Sequence, residues 1–153
     1  MTPPSMTVRQ ASEDDVARVE SLLKTNELPH RDVRSKPECF FVARSGTAVV
    51  GIGGIERYGA NGLLRSVVVT EPNRGQGYGT TLCNALEDQA RTDGVETLYL
   101  LTTTAEAFFS QRGYEVVARA DVASAILGAI ELEGIRLDST DCVDAATVAD
   151  LLA

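Results

Sequence analysis

Two hydrophobic periods alternate along the 153-residue chain. Val8 to Ala11 is a short run that predicts a first strand. Ser12 then stands as an N-cap, with Glu13, Asp14 and Asp15 in a first helical turn where the dipole favours negative charge. Val16, Val19, Leu22 and Leu23 recur at helical spacing and predict a helix to about Thr25, with a short helical piece after Pro29. Cys39 to Ala43 and Thr47 to Ile55 read as two strands joined by a turn at Ser45-Gly46. Leu63 to Thr70 is a β-branched strand, expected to be entered through a turn at Asn61-Gly62. A helix from about Tyr78 to Thr92 follows, with Leu82, Ala85, Leu86 and Gln89 on one face and Gly94 closing it. Glu96 to Leu101 reads as a strand, Ala105 to Gln111 as a short helix ended by Gly113, and Tyr114 to Ala118 as a strand. A helix over Asp121 to Glu133, a strand near Thr140 to Val143 and a terminal helix from Ala145 complete the expectation. Alternating strands and helices with an early hairpin predict a mixed α/β sheet with helices packed on it.

Length and composition narrow this picture. A chain of 153 residues with 44% apolar and 24% charged residues, no internal repeat and no linker predicts one soluble domain over 1–153. The longest apolar stretch, Ala48 to Ile55, is broken by three glycines, whereas a spanning helix needs about 20 apolar residues. Met1 to Ser5 shows no basic region leading into an apolar core, so no secretory leader is expected and a cytoplasmic location is. Three cysteines without a C-x-x-C pair, and a single histidine, His30, argue against a metal site or a Cys–His catalytic pair. Net charge is −8, which argues against a sequence-independent grip on nucleic acid. Only two of the 14 basic residues are lysines, Lys24 and Lys36. That surface suits a high-salt environment, where charge is screened, and equally an acidic protein from a GC-rich genome.

The informative chemistry lies between Leu63 and Thr92. The cluster Arg74-Gly75-Gln76-Gly77-Tyr78-Gly79 follows a strand and opens a helix. Glycines at alternate positions let the backbone turn tightly and approach a ligand. The amides of Gly75, Gly77 and Gly79 come just as a helix begins, so unpaired N–H donors and the helix dipole point at one spot as a pyrophosphate cradle, with Arg74 adding a fixed charge beside it and Thr80 a hydroxyl. A P-loop reading fails because no lysine follows the glycines, and a G-x-G-x-x-G dinucleotide fingerprint fails because the spacing is G-x-G-x-G. R-x-x-G-x-G after a strand ending V-V-V-x-x-P fits at every position.

Leu64 to Gly79 (L-R-S-V-V-V-T-E-P-N-R-G-Q-G-Y-G) resembles the acetyl-CoA-binding motif of the GNAT superfamily of N-acetyltransferases, and Ala105 to Tyr114 resembles its later motif. The order of elements is similar over about residues 7–118. E-R-Y-G, L-L-R-S and L-Y-L-L-T-T-T-A-E-A-F-F resemble, more narrowly, the small N-acetyltransferases associated with arsenic-resistance operons. The resemblance implies an α/β (α+β) fold of GNAT type, a mixed and mostly antiparallel sheet flanked by helices. It implies acetyl-CoA as cosubstrate, with no metal. The backbone of Val67, Val68 and Val69 would hydrogen-bond the pantetheine arm, usually beside a bulge. Arg74, Gly75, Gln76, Gly77, Tyr78, Gly79 and Thr80 would hold the pyrophosphate. Thr102 stands where many members carry a CoA-contacting asparagine. Phe109 stands where many carry a tyrosine that protonates the departing thiolate, and phenylalanine has no proton to give.

Acetyl transfer to an amine near pH 7 needs a base, because an ammonium has no lone pair to attack with. Glu56, closing the strand before the motif strand, is the candidate; a solvated hairpin glutamate is the other reading. Tyr58 shares its face by strand alternation and could shape the acceptor pocket. Arg65 could bind a carboxylate, phosphinate or arsenate-like group, or be a surface arginine. The expected partner is a small-molecule amine, possible acceptors including amino acids bearing an arsinic or phosphinic group, with no nucleic acid or membrane partner and a monomer or homodimer as assembly. Two other readings remain: acetylation of a protein N-terminus or lysine, and a non-catalytic acyl-CoA-binding module.

Overall fold

The computed structural model describes residues 6–28, 30–31, 33–101, 106–116, 126 and 146–150. Seven strands and three α-helices are present among them: β1 (Thr7–Gln10), α1 (Val16–Thr25), β2 (Phe40–Ser45), β3 (Ala48–Tyr58), β4 (Asn61–Val69), α2 (Tyr78–Thr92), β5 (Thr97–Leu101), α3 (Glu106–Gln111), β6 (Glu115–Val116) and β7 (Ala146–Asp150). The chain forms two compact units, residues 1–55 with 66–89 and residues 56–65 with 90–153. Strands β3 and β4 each run from one unit into the other, so one covalent hairpin contributes to both.

In the first unit β1, β2 and β3 form an antiparallel meander. Its core follows from the helical period of α1, which buries Val16, Val19 and Leu23 with Val33, Phe40, Val42, Ile52 and Val68. Ahead of α1, Glu13–Asp15 form a 3₁₀ turn. Ser12 donates to the Asp15 carboxylate through its backbone N–H at 2.9 Å and its hydroxyl at 3.0 Å, and Arg44 pairs with the same carboxylate. The N–H bond from Ser12 and the Arg44 guanidinium hold the Asp15 carboxyl below its ordinary value, against the opposing effect of burial. The β2/β3 register skips Val50, between the pairs Ala43↔Gly51 and Arg44↔Val49. The Val50 carbonyl accepts from both the N–H and the hydroxyl of Thr70, at 3.0 and 3.3 Å, and so anchors the residue just past β4.

In the second unit β4 lies beside β5 in parallel, with Asn61↔Thr97, Gly62↔Leu98 and Leu63↔Tyr99. Strand β7 runs antiparallel to β5, and β6 antiparallel to β7. One parallel pairing among these ladders makes the fold a mixed, mostly antiparallel sheet flanked by helices, as expected. Phe109 on α3 and Tyr114 just past it meet edge-on with ring centroids 5.2 Å apart.

Several elements fall where the periodicity placed them: α2 spans Tyr78–Thr92, and Gly94 and Gly113 have positive φ just past their helices. Three expectations need correction. The turn into β4 is not Asn61-Gly62, since both residues lie within the strand. Gly59 at φ +64° makes the turn, and Gly62 is required for packing, because a Cβ there would come within 3.0 Å of Val95 and 3.1 Å of Leu98. The helical piece expected after Pro29 is two 3₁₀ turns, Val33–Ser35 and Pro37–Cys39. Ala146–Asp150, expected within a terminal helix, is strand β7, where pairing to β5 overrides a weak local preference. The Thr140–Val143 strand and, apart from buried Ile126, the Asp121–Glu133 helix lie outside the described residues. No helix among the described residues is long and apolar enough to cross a membrane.

Candidate functional site

Two groups of chemistry-bearing residues form, each within one unit. The first begins where β4 ends. Pro72 stands second in a 3₁₀ turn over Glu71–Asn73, its fixed φ suiting an early helical position. The Asn73 side chain donates to the Thr70 hydroxyl at 2.6 Å, and Gln76 donates back to the Pro72 carbonyl at 3.1 Å. Gly75 and Gly77 have φ of +76° and +86°, a left-handed geometry that would strain any side-chain-bearing residue. The loop is thus tied down by its own polar side chains while Arg74, Gly75, Gln76 and Gly77 remain exposed.

Helix α2 starts immediately after this loop. Its first bond joins the Thr81 N–H to the Gly77 carbonyl at 3.3 Å. The N–H groups of Tyr78, Gly79 and Thr80 therefore precede the ladder and face out of the first turn, at the positive end of a 15-residue helix. Such an end, with a basic side chain beside it, binds phosphate-type anions. Arg74 supplies that side chain. Its Nε donates to the Val69 carbonyl and its Nη2 to the Asn26 Oδ1, both at 2.9 Å. Asn26 at the end of α1 carried no signal in the sequence beyond a polar residue after a helix, and it lies 48 positions from its partner.

Val68 is buried in the core of this unit, and Val67 and Val69 are half-buried. Ser66, directly before them, has φ of +60°. A left-handed residue inside a strand interrupts its pleat, the kind of break found in bulges beside functional sites.

The second group belongs to the other unit. Glu56 and Tyr58, two residues apart on β3, point to one side, and the Tyr58 hydroxyl donates to Glu56 Oε1 at 2.6 Å. Arg65 on β4 donates from Nη1 to Glu56 Oε2 at 3.0 Å. Glu56 is 3% exposed and Arg65 8%, so neither a solvated glutamate nor a surface arginine describes them. Both carboxylate oxygens accept a strong donor, which is what a buried charge requires. Phe109 is a core residue, flanked edge-on by Phe108 at 5.0 Å as well as by Tyr114. Thr102 lies outside the described residues. Cys39 is half-buried and Cys83 buried, and among the described residues no group of three or more His, Cys, Asp or Glu side chains could hold a metal ion.

A helix N-terminus with left-handed glycines and an arginine beside it, reached from a strand of a mixed sheet, is an arrangement suited to a phosphate-type anion. The chain belongs to the Acetyltransferase (GNAT) family, whose sequence profile matches residues 8–115. N-acetylglutamate synthase from Neisseria gonorrhoeae, solved with coenzyme A and N-acetyl-glutamate, is similar with a TM-score of 0.83 and 19% identity, over 98% of this chain and 36% of that one. The chain thus spans about a third of that enzyme. Rv2747 from Mycobacterium tuberculosis, in complex with CoA and NLQ, has a TM-score of 0.76 at 21% identity, over 94% and 98% of the two chains. A GNAT-family acetyltransferase from Staphylococcus aureus Mu50 has a TM-score of 0.71 at 17% identity, over 96% and 99%. At these identities the likeness is one of fold. The curated proteins contain no match to the sequence.

Proposed function

We propose that this acetyltransferase moves the acetyl group of acetyl-CoA to the amino group of a small amino acid that carries a second anionic group. The observation that carries the reading is the cradle: the leading amides of α2, two left-handed glycines and Arg74 form a backbone site for a pyrophosphate. In this reading the backbone of Val67 to Val69, beside the left-handed Ser66, bonds the pantetheine arm. Thr102 and Phe109 border the cosubstrate in this reading, as the family resemblance implies, and Phe109 contributes packing only.

The acceptor class follows from the buried Glu56–Arg65 pair. A positive and a negative group fixed 3.0 Å apart mirror a zwitterion. An amino-acid acceptor exchanges partners with them, its carboxylate, phosphinate or arsinate pairing with Arg65 and its ammonium with Glu56. Glu56 is the base and Tyr58 the relay. The Tyr58 hydroxyl passes its proton to Glu56 Oε1 along the 2.6 Å bond as it accepts one from the ammonium. The freed amine attacks the thioester carbonyl, the tetrahedral oxyanion collapses with cleavage of the C–S bond, and the proton shed by the newly acylated nitrogen passes through water to the departing thiolate. The acetylated amino acid bound to N-acetylglutamate synthase is of the same chemical class.

Acetyl transfer followed by mass spectrometry tests this across arsinic, phosphinic and ordinary amino acids, polyamines, aminoglycosides and a lysine peptide. Transfer confined to amino acids supports the reading, and transfer to the peptide alone replaces it with a protein acetyltransferase. Glu56→Gln is expected to lower kcat/KM by about 10²–10⁴, with coenzyme A affinity unchanged. Unchanged turnover in that variant removes Glu56 as the base. Coenzyme A binding without transfer to any acceptor leaves a non-catalytic acyl-CoA module.

A further inference from the structure

The cradle's one fixed charge is not held by the cradle loop. Arg74 Nη2 donates to Asn26 Oδ1 at 2.9 Å, and Asn26 in turn donates from Nδ2 to the Leu22 carbonyl at 2.8 Å. Only one orientation of the amide satisfies both bonds, oxygen toward the guanidinium and nitrogen toward the carbonyl. Asn26 is the C-cap of α1, and its backbone N–H also bonds the Leu22 carbonyl, at 3.2 Å. The corner it occupies is over-determined. Glu27 N–H bonds the Lys24 carbonyl at 3.1 Å and Leu28 N–H the Leu23 carbonyl at 2.9 Å, the paired bonds of a Schellman motif. That motif wants glycine at its left-handed position, yet Glu27 stands there at φ +58°. Among the described residues only Glu27 and Ser66 are left-handed without being glycine. A strained helix end that presents its C-cap side chain to the cradle arginine is the kind of site where strain accompanies function.

We propose that Asn26 is a positioning residue for the cosubstrate: it presets the Arg74 guanidinium so that the pyrophosphate meets an arginine already in place. The proposal rests on the reading that the cradle holds the pyrophosphate of coenzyme A. An exposed arginine samples many rotamers and loses that freedom when it grips an anion. Two bonds, to Val69 O and Asn26 Oδ1, use two of its five N–H donors and fix the fork before the ligand arrives, leaving three for the anion. Preorganisation of this kind tightens binding without adding a contact. Asn26 touches no part of the cosubstrate; it acts through Arg74.

The test compares coenzyme A with S-acetylpantetheine, which lacks the pyrophosphate, on the whole chain and on Asn26→Ala, Arg74→Ala, the double variant and Asn26→Ala/Glu27→Gly. Asn26→Ala is expected to weaken coenzyme A about three- to tenfold, the scale of one hydrogen bond, and to leave S-acetylpantetheine unchanged. KM for acetyl-CoA rises more than kcat falls. In the Arg74→Ala background the same substitution has no further effect on affinity. Glu27→Gly relieves the left-handed strain and recovers the melting temperature that Asn26→Ala loses, while affinity stays weak. The proposal is overturned if affinity recovers together with the melting temperature, if S-acetylpantetheine weakens equally, or if the Asn26 and Arg74 effects add. Arg74→Ala binding coenzyme A as tightly as the unaltered chain overturns the cradle reading itself.

Discussion

Ser66 and the Glu56–Arg65 pair show how single residues carry cost at this site. Ser66 holds φ +60° in a strand, a conformation that costs a non-glycine residue about 1 kcal/mol or more. Ser66→Gly is therefore expected to stabilise the chain by about 0.5–1 kcal/mol in urea unfolding at unchanged m-value, whereas Ser66→Val destabilises it. The ion pair behaves differently. Removing Arg65 alone leaves a buried, uncompensated carboxylate, so Arg65→Ala is expected to cost about 3–5 kcal/mol. Replacing both charges, Glu56→Gln with Arg65→Met, restores most of that stability and abolishes transfer. A double variant as unstable as Arg65→Ala would show that packing of the arginine stem, not charge balance, sets the loss. Nothing local in E-R-Y-G or L-L-R-S says that these two side chains meet. They are nine positions apart on opposite sides of a hairpin, and only its register joins them.

At the scale of elements, the helices were the most legible. A 3.6-residue apolar period and glycine stops place α2 over its whole length, because both signals are local. Strand ends were less so. Asn61-Gly62 has the composition of a tight turn, yet the chain turns at Gly59 and reserves Gly62 for close packing on Val95 and Leu98. A turn signature states what a backbone can do, not what its neighbours require. The start of α1 yields a pH prediction. The folded Asp15 carboxyl lies below its ordinary 3.8, so its bonds to Ser12 and Arg44 contribute fully above that value and are lost as pH falls through the lower folded one. The stability gap between the unaltered chain and Asp15→Asn is expected to be constant from pH 7 to about 5 and to shrink below about 4, measured by thermal unfolding. A gap that widens in acid contradicts the assignment.

For the whole molecule, the net charge of −8 over 153 residues makes self-repulsion the leading long-range effect. Raising salt from low to molar concentration is expected to raise the melting temperature by roughly 2–4 °C, about 1 kcal/mol. A fall would mean that ion pairs such as Arg34–Glu20 and Arg44–Asp15 outweigh the repulsion. The sequence by itself determined the family, the mixed sheet and the glycine-bearing turn into α2 that is proposed as the anion cradle. The cradle's donors are consecutive backbone amides whose arrangement depends on glycine spacing and on a helix beginning at one residue. What only the tertiary structure decided depends on which distant segments pair: Ala146–Asp150 as a strand on β5, Glu56 shared between Tyr58 and Arg65, and Arg74 held by Asn26. Local propensity is weak or silent at each of these positions, because the free energy that selects them comes from partners far along the chain.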